Sequence, residues 1–186
     1  ENRSAFDAKG FEIHEIVPRV WMGRQPRDAE DVKRLRASHN VRLVISLLED
    51  GEVHLSHSDP VFTDLEITTV SFPTPDFAGP SDDCLDGAVA LMHRHLDGGD
   101  GSVYVHCNAG KGRSACVMAA YLMSTSMAGR TIGEVTAFLR SRRPVVTPWL
   151  SAWPLSAQSR AVVRFQGRLC NRLSLSETHA KQGKDL

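Results

Sequence analysis

The feature that most constrains this chain is a buried strand that turns directly into a buried helix. The stretch VYVHCNAGKGRSACVMAAYLM, residues 103–123, begins with apolar residues, passes through a loop with two glycines, and ends in a second apolar run. The strand predicted at residues 102–106 is too uniformly apolar to be half exposed, which is typical of a central strand in a parallel sheet. The helix predicted at residues 114–127 is apolar on all sides and is therefore expected to be buried.

The rest of the chain alternates between strand-like and helix-like segments. Strands are predicted at residues 19–23, 41–47 and 67–72, and helices at residues 28–38, 82–96, 131–143 and 155–173. This alternation predicts an α/β fold in which a central, mainly parallel sheet is flanked by helices. Residues 1–173 are expected to form a single domain, and the polar residues 174–186 a flexible tail.

Composition excludes several classes of protein. The 22 basic residues balance 22 acidic ones, which argues against a general binder of nucleic acid or another polyanion. No apolar run is long enough for a membrane span. The chain begins with Glu1 and has no signal-peptide pattern, and we expect any targeting segment to have been removed. The cysteines form no CxxC pair, so a zinc site or a disulfide framework is not expected and an intracellular, reducing compartment fits best. The four cysteines are Cys84, Cys107, Cys116 and Cys170.

Cys107 differs from the other three cysteines in what surrounds it. It stands where the strand ends and the loop CNAGKGR begins, whereas the others fit the common role of a small buried hydrophobe. Backbone N–H groups of such a loop can point inward and bind an anion, and the following helix adds the positive end of its dipole. Arg113 adds a guanidinium that can grip two phosphoryl oxygens. A cysteine in that field is expected to be a thiolate, so Cys107 is a candidate nucleophile.

The segment HCNAGKGRS, residues 106–114, resembles the His-Cys-x5-Arg-Ser/Thr signature of the cysteine-dependent protein tyrosine phosphatase superfamily. The chain is similar to the dual-specificity branch. With the segments FPTPDFAGPS and FLRSRRPVV, it resembles the mitochondrial type of lipid phosphatase that acts on phosphatidylglycerophosphate, an intermediate of cardiolipin biosynthesis. The resemblance implies the dual-specificity phosphatase fold, hydrolysis through a phosphocysteine without metal or cofactor, and a location in the mitochondrion or plastid.

The same resemblance implies a role for each residue of the signature. Cys107 takes the phosphoryl group, Arg113 holds its oxygens, and Ser114 hydrogen-bonds the thiolate as it leaves. His106 orients the loop and is not expected to act as a base. The phosphate cradle comprises Asn108, Ala109, Gly110, Lys111, Gly112 and Arg113.

A leaving alkoxide needs a proton, so a general acid is required besides the signature. Asp76 is predicted for this role, because it lies in the proline-rich loop where this family carries its acid. Asp82 and Asp83 are the rival carboxylates, but they follow Ser81 at a helix start and are expected to serve as first-turn charges.

Three further features each allow two interpretations. An acidic segment after the second predicted strand is interpreted as a solvated turn, although related lipid phosphatases carry a glutamate near the site. Basic residues in the loop and at the end of the helix predicted at residues 131–143 either flank the pocket and meet the phosphates of an anionic lipid surface or, for those in the helix, complement its carboxyl end. Two tryptophans either touch a membrane or pack against the core. The acidic residues are Glu49, Asp50 and Glu52, the basic residues are Lys111, Arg140, Arg142 and Arg143, and the tryptophans are Trp149 and Trp153.

These observations favour a phosphatase whose substrate is a phospholipid headgroup, chiefly phosphatidylglycerophosphate. No aromatic residue lies at positions 108–113 to wall a phosphotyrosine ring, whereas Lys111 suits a phosphate on a polar headgroup. The alternative substrate is a phosphoprotein carrying phosphotyrosine or phosphoserine/threonine. The non-enzymatic alternative is a phosphate-binding pseudophosphatase that serves as an interaction module. Nothing in the sequence predicts an oligomeric state.

Overall fold

A computed structural model describes residues 10–99, 101–147 and 156–182 of the chain, with side chains as far as residue 172. Trp149 and Trp153 lie outside the described residues. The helices and strands follow in chain order: β1 (Ile13–Val17), β2 (Val20–Arg24), α1 (Ala29–His39), β3 (Val41–Ser46), a 3-10 turn (Asp50–Glu52), α2 (Pro60–Asp64), β4 (Thr68–Ser71), α3 (Asp82–Gly98), β5 (Ser102–Cys107), α4 (Arg113–Ser124), α5 (Ile132–Arg142) and α6 (Ala157–Gln182).

Within the described residues, the strands form one five-stranded sheet in the order β1-β2-β5-β3-β4. The central strand β5 pairs in parallel with β2 on one side and with β3 on the other, and β3 pairs in parallel with β4. Strand β1 runs antiparallel to β2 at one edge. Every residue of β5 is buried, as its uniformly apolar sequence predicted. The predicted class, a mainly parallel sheet flanked by helices, is confirmed.

Alternate residues of β5 enter two different cores, because successive side chains of a strand point to opposite faces of the sheet. Val103 and Val105 join a core built with α3, α4, α5 and α6, in which α4 is buried from Arg113 to Met123. Tyr104 joins a second, smaller core that includes side chains of α1 and α2. The loop after Cys107 therefore begins at the middle of a sheet that is covered on both faces.

The structure differs from the sequence-based prediction at several element boundaries. Strand β1, the 3-10 turn and α2 were not predicted, and in β1 only Ile16 is buried, so its hydrophobic pattern is weak. Helix α4 ends at Ser124 rather than at residue 127. Helix α6 continues to Gln182, beyond its predicted end at residue 173 and into the segment predicted as a tail. No helix among the described residues is long and apolar enough to cross a membrane.

Candidate active site

Cys107 lies at the carboxyl end of β5 and is 3% exposed. Its Sγ atom is 3.4 Å from the Ser114 Oγ atom in the first turn of α4. Burial raises the pKa of this thiol. Hydrogen bonds from the Ser114 hydroxyl and from the backbone N–H groups of Ser114 and Lys111, together with the charge of Arg113, outweigh burial and bring the pKa below its ordinary value. For Cys84 and Cys116, by contrast, burial raises the pKa. Of these three buried cysteines, Cys107 is therefore the one suited to ionise.

Three residues outside the loop after Cys107 hold its backbone carbonyl groups, and none of them was predicted in this role from the sequence. These residues are Gln25 at the end of β2, Arg143 at the end of α5, and Thr147 beyond it. The Gln25 N–H donates to Asn108 O at 3.2 Å, Arg143 donates to Ala109 O at 3.1 Å and to Gly110 O at 2.8 Å, and Thr147 donates to Lys111 O at 3.1 and 3.2 Å.

The outward carbonyls turn the loop into an inward-facing set of donors. In a trans peptide, the N–H of one residue points away from the C=O of the residue before it. Because Arg143 holds the oxygens of Ala109 and Gly110, the N–H groups of Gly110 and Lys111 point to the opposite side. The hydrogen bond from the Lys111 N–H to the Cys107 thiol agrees with this orientation. Such a nest of N–H groups suits a tetrahedral oxyanion held above the sulfur.

Gly110 is required by the loop for two reasons. Its φ of +63° lies in the left-handed region that glycine adopts without strain. A Cβ atom at this position would lie 2.1 Å from the Gly23 carbonyl oxygen of β2, a distance that atoms cannot share. The loop therefore packs directly on the backbone of the neighbouring strand, which fixes its height above the sheet.

Arg113, the first residue of α4, is 2% exposed and is held by a carboxylate from the acidic segment. Its Nη1 donates to Glu52 Oε2 at 2.5 Å and to Thr74 O at 2.8 Å, and its Nη2 donates to Glu52 Oε1 at 2.8 Å. The interpretation of the acidic segment as a solvated turn is wrong for Glu52. Long-range folding brings this carboxylate under the arginine, while Glu49 and Asp50 remain exposed.

Asp76 lies in the loop between β4 and α3, and its Oδ1 atom is 3.2 Å from Nη2 of Arg113. The carboxylate is half exposed and also accepts the N–H of Phe77 at 3.0 Å. Asp82 and Asp83 lie in the first turn of α3, as expected, and Asp82 pairs there with Arg164 and Arg168 from α6. Asp76 is thus the carboxylate of these three that the fold brings to Arg113.

Gln25 connects the phosphate loop to the Glu52 segment and is 2% exposed. Its side-chain Nε2 donates to Asn108 Oδ1 and to Glu52 O, each at 3.1 Å, and its Oε1 accepts the N–H of His54 at 3.1 Å. Gln25 was not predicted, although it follows the strand predicted at residues 19–23, and functional residues of parallel sheets collect at the carboxyl ends of the strands.

The basic residues at positions 140–143 divide between two environments. Arg143 is 1% exposed beneath the loop, so the expectation that it faces a lipid surface is wrong. Arg140 and Arg142 are exposed. Arg140 donates to Val146 O at 3.2 Å, and the Arg142 guanidinium lies 5.4 Å from the Phe138 ring centre. The side chain of Lys111 is partly exposed at the loop itself.

His106 is buried between two other rings, with its ring centre 5.7 Å from that of Tyr104 and 6.2 Å from that of His57. Burial lowers its pKa to about 3, helped by the charges of His57 and Arg113 and opposed by a backbone hydrogen bond at Cys107. A ring that stays neutral and buried suits a structural part rather than proton transfer near pH 7.

A family model described as "PTP-SAK: Swiss Army Knife protein, DSP-PTPase phosphatase domain" matches residues 12–159. The chain belongs to this family. It is a cysteine-dependent phosphatase of the dual-specificity type.

Curated relatives agree with the family assignment. The chain is 32% identical over 136 residues to human phosphatidylglycerophosphatase and protein-tyrosine phosphatase 1, covering 69% of this chain and 67% of that protein. It is 32% identical over 155 residues to the phosphatidylglycerophosphate phosphatase PTPMT2 of Arabidopsis thaliana, covering 83% of this chain and 62% of the relative. Mouse laforin is 29% identical over 147 residues, covering 70% of this chain, and the matched part is 44% of laforin.

Solved structures show the same fold. The crystal structure of PTPMT1 in complex with PI(5)P superposes with a TM-score of 0.71 at 25% sequence identity, covering 87% of this chain and 98% of PTPMT1. Tk-PTP in its active form superposes with a TM-score of 0.70 at 24% identity, covering 84% of this chain and 97% of Tk-PTP, and supports the fold alone. The recognition of the dual-specificity superfamily, with its likeness to phosphatidylglycerophosphate phosphatases, is confirmed.

Proposed function

We propose that the protein hydrolyses the phosphomonoester of a phospholipid headgroup, chiefly phosphatidylglycerophosphate, through a phosphocysteine at Cys107. The observation that carries the catalytic part is the lowered pKa of a buried thiol at the base of an inward-facing N–H cradle. The same field that binds a phosphate dianion favours ionisation of the sulfur. This arrangement does not support the pseudophosphatase alternative, which needs no reactive thiol.

In the first step the Cys107 thiolate attacks phosphorus, the S–P bond forms, and the P–O bond to the alcohol breaks. Asp76 donates its proton to the departing oxygen, while Arg113 and the loop N–H groups hold the remaining phosphoryl oxygens. The 3.2 Å separation of Asp76 and Arg113 supports this role, because the arginine grips the phosphoryl group that carries the leaving oxygen.

In the second step water attacks the phosphocysteine and gives a proton to the Asp76 carboxylate. The O–P bond forms, the S–P bond breaks, and inorganic phosphate leaves. The Ser114 hydroxyl, 3.4 Å from the sulfur, donates a hydrogen bond to the returning thiolate. This reaction draws its positive charge from Arg113 and from backbone dipoles, and the proton from Asp76.

The lipid substrate is supported by the names of the human and Arabidopsis thaliana relatives, both phosphatidylglycerophosphate phosphatases, and by PI(5)P in the crystal structure of PTPMT1. Lys111 is partly exposed in the loop and adds a second positive charge beside the cradle. We also propose, from the resemblance of its motifs to the mitochondrial type of lipid phosphatase, that the protein acts in a mitochondrion or plastid, which organelle fractionation of a tagged full-length protein tests.

Phosphotyrosine is the second candidate substrate, because an exposed aromatic residue is the chain neighbour of the proposed acid Asp76. Phe77 follows Asp76 directly and is 76% exposed, the one large hydrophobic side chain so exposed among the described residues. The human relative is also named as a protein-tyrosine phosphatase. An aromatic ring beside the acid can contact an aryl leaving group.

Comparing kcat/KM decides between these substrates. We expect phosphatidylglycerophosphate in vesicles or mixed micelles to give a higher kcat/KM than phosphopeptides of several sequences. Lys111→Ala should lower lipid turnover more than turnover of para-nitrophenyl phosphate. Lys33→Ala, on an exposed face of α1, is the matched control and should change neither. If every phosphopeptide gives a higher kcat/KM than phosphatidylglycerophosphate, the substrate is instead a phosphoprotein.

A further inference from the structure

The guanidinium of Arg143 is shared between the phosphate loop and a histidine on the edge strand β1. Its Nε donates to Gly110 O at 2.8 Å and its Nη2 to Ala109 O at 3.1 Å. Its Nη1 lies 2.7 Å from Nδ1 of His14. Glu12, just before β1, is more distant, at 3.9 Å from the same Nη1.

The hydrogen bond between Arg143 and His14 has only one possible direction. An arginine guanidinium has donors and no acceptor, so the Nδ1 atom of His14 must accept. That atom therefore carries a lone pair, and the ring is neutral with its proton on Nε2. A protonated His14 would present an N–H and a positive charge to a guanidinium that has no acceptor for it.

We infer that His14 is a positioning residue for phosphate binding, acting through Arg143 on the carbonyl groups of Ala109 and Gly110. Neutral His14 holds the Nη1 atom of Arg143, so that Nε and Nη2 keep the carbonyl groups of Gly110 and Ala109 pointing outward. The N–H groups of Gly110 and Lys111 then face the bound oxyanion. The inference rests on the proposed phosphatase site, whose loop this contact supports.

The ionisable groups around this contact favour the neutral ring. Burial and the charge of Arg143 lower the pKa of His14, and Glu12 raises it, with a lowered pKa as the outcome. Around Arg143 itself, burial lowers the pKa, Tyr104, Glu12 and Cys107 raise it, and Arg24 lowers it, again with a lowered pKa as the outcome. Arg143 remains charged at any physiological pH, so His14 is the member of the pair that titrates.

The direction in which acid changes the affinity for an anion distinguishes positioning by His14 from a simple electrostatic effect. A histidine that becomes positive near an anion site attracts the anion and should tighten its binding. Loss of the His14 acceptor should instead loosen the loop and weaken binding. Weaker anion binding on acidification is therefore the signature of positioning through Arg143.

The experiment measures sulfate affinity by titration calorimetry or NMR. The parent protein is the full chain carrying Cys107→Ser, which removes the titration of the thiol, and the other substitutions are added to it. Sulfate is a tetrahedral dianion whose charge stays constant over the range of about pH 5 to pH 8 in which histidine titrates. At about pH 8, His14→Leu should weaken sulfate binding roughly tenfold, the worth of one charge-assisted hydrogen bond. His14→Asn keeps an acceptor in the place of Nδ1 and should restore affinity. Because the pKa of His14 lies below the ordinary histidine value of 6.5, the affinity of the parent should fall as the pH is lowered beyond that value and His14 takes up a proton, and with His14→Asn this fall should be absent.

Two controls keep the outcomes separate. His39→Asn alters another partly buried histidine, which lies against Trp21 and not against the loop, and should leave sulfate affinity unchanged. If His14→Leu fails to fold, as its thermal unfolding would show, the comparison of the parent with His14→Asn in acid still decides. Equal affinity of His14→Leu and the parent, or tighter binding by the parent in acid, would overturn the inference. Failure of sulfate to bind even the parent would instead overturn the anion cradle and, with it, both the proposed function and this inference.

Discussion

The carboxylate of Glu52 binds the guanidinium of Arg113 at both terminal nitrogens, at 2.5 and 2.8 Å. Residues 61 positions apart thus form a two-pronged ion pair at the base of the site. The hydrogen bond from Arg113 is the main cause that lowers the pKa of Glu52, although burial raises it and backbone contact with Glu49 lowers it further. An ionised Glu52 fixes the plane of the arginine that has to grip the phosphoryl group.

Glu52→Gln should lower kcat/KM by roughly 10- to 100-fold, because the amide offers Arg113 one acceptor oxygen in place of two and removes the negative charge of the pair. Steady-state kinetics with para-nitrophenyl phosphate measure the loss. Asp50→Asn is the matched control, since this carboxylate belongs to the same turn but is exposed. Equal losses in the two variants would mean that Glu52 contributes only the charge of its segment and not the orientation of Arg113.

Ser114→Ala should raise the pKa of Cys107, because the Ser114 hydroxyl is the strongest of the contacts that lower it. The rate of alkylation by iodoacetamide follows the thiolate, so its pH profile should move to higher pH in the variant. At neutral pH the variant should therefore react more slowly than the wild-type protein. An unchanged profile would show that backbone N–H groups and Arg113 suffice to ionise the thiol.

Asp76→Asn should slow turnover of alkyl phosphates by roughly 10²- to 10⁴-fold, the usual contribution of a general acid. Aryl phosphates with good leaving groups should lose less, because their oxygen needs less protonation as it departs. Asp83→Asn serves as the control, since this carboxylate lies in the first turn of α3. A larger loss in the control, or the same loss for both substrate types, would assign the proton to another group.

Gly110→Ala should abolish phosphate binding and destabilise the protein by about 1–3 kcal/mol, because the new Cβ meets the Gly23 carbonyl and the backbone is left-handed. Chemical denaturation measures the free energy of unfolding. Gly167→Ala, in the middle of α6 with no atom within 4 Å of the new methyl group, should instead stabilise by up to about 1 kcal/mol. A neutral Gly110→Ala would mean that the loop can move away from β2.

The residues predicted from sequence are those whose function depends on local spacing. Cys107, Arg113 and Ser114 belong to one strand-loop-helix unit, and the central position of β5 in the sheet was predicted from its apolar sequence. Asp76 was predicted from its place in a proline-rich loop, and the fold brings it to Arg113.

The supporting residues were missed because their positions depend on contacts between distant segments. Glu52 looked like part of a solvated turn, and Arg143 looked like the basic end of a helix, since acidic turns and basic helix ends are common. His14 lies in β1, a strand whose weak pattern gave no signal. Only the assembled sheet places these residues around one loop.

The most direct test of the central claim is the detection of the phosphocysteine during turnover of phosphatidylglycerophosphate. Rapid quenching followed by mass spectrometry of the peptide that contains Cys107 locates the phosphoryl group. The account predicts a phosphoryl group on Cys107 in the wild-type protein. In Cys107→Ser, whose hydroxyl is not ionised at neutral pH, it predicts neither a phosphorylated peptide nor turnover. Lipid hydrolysis that continues in Cys107→Ser, or a phosphoryl group found on a different residue, would contradict it.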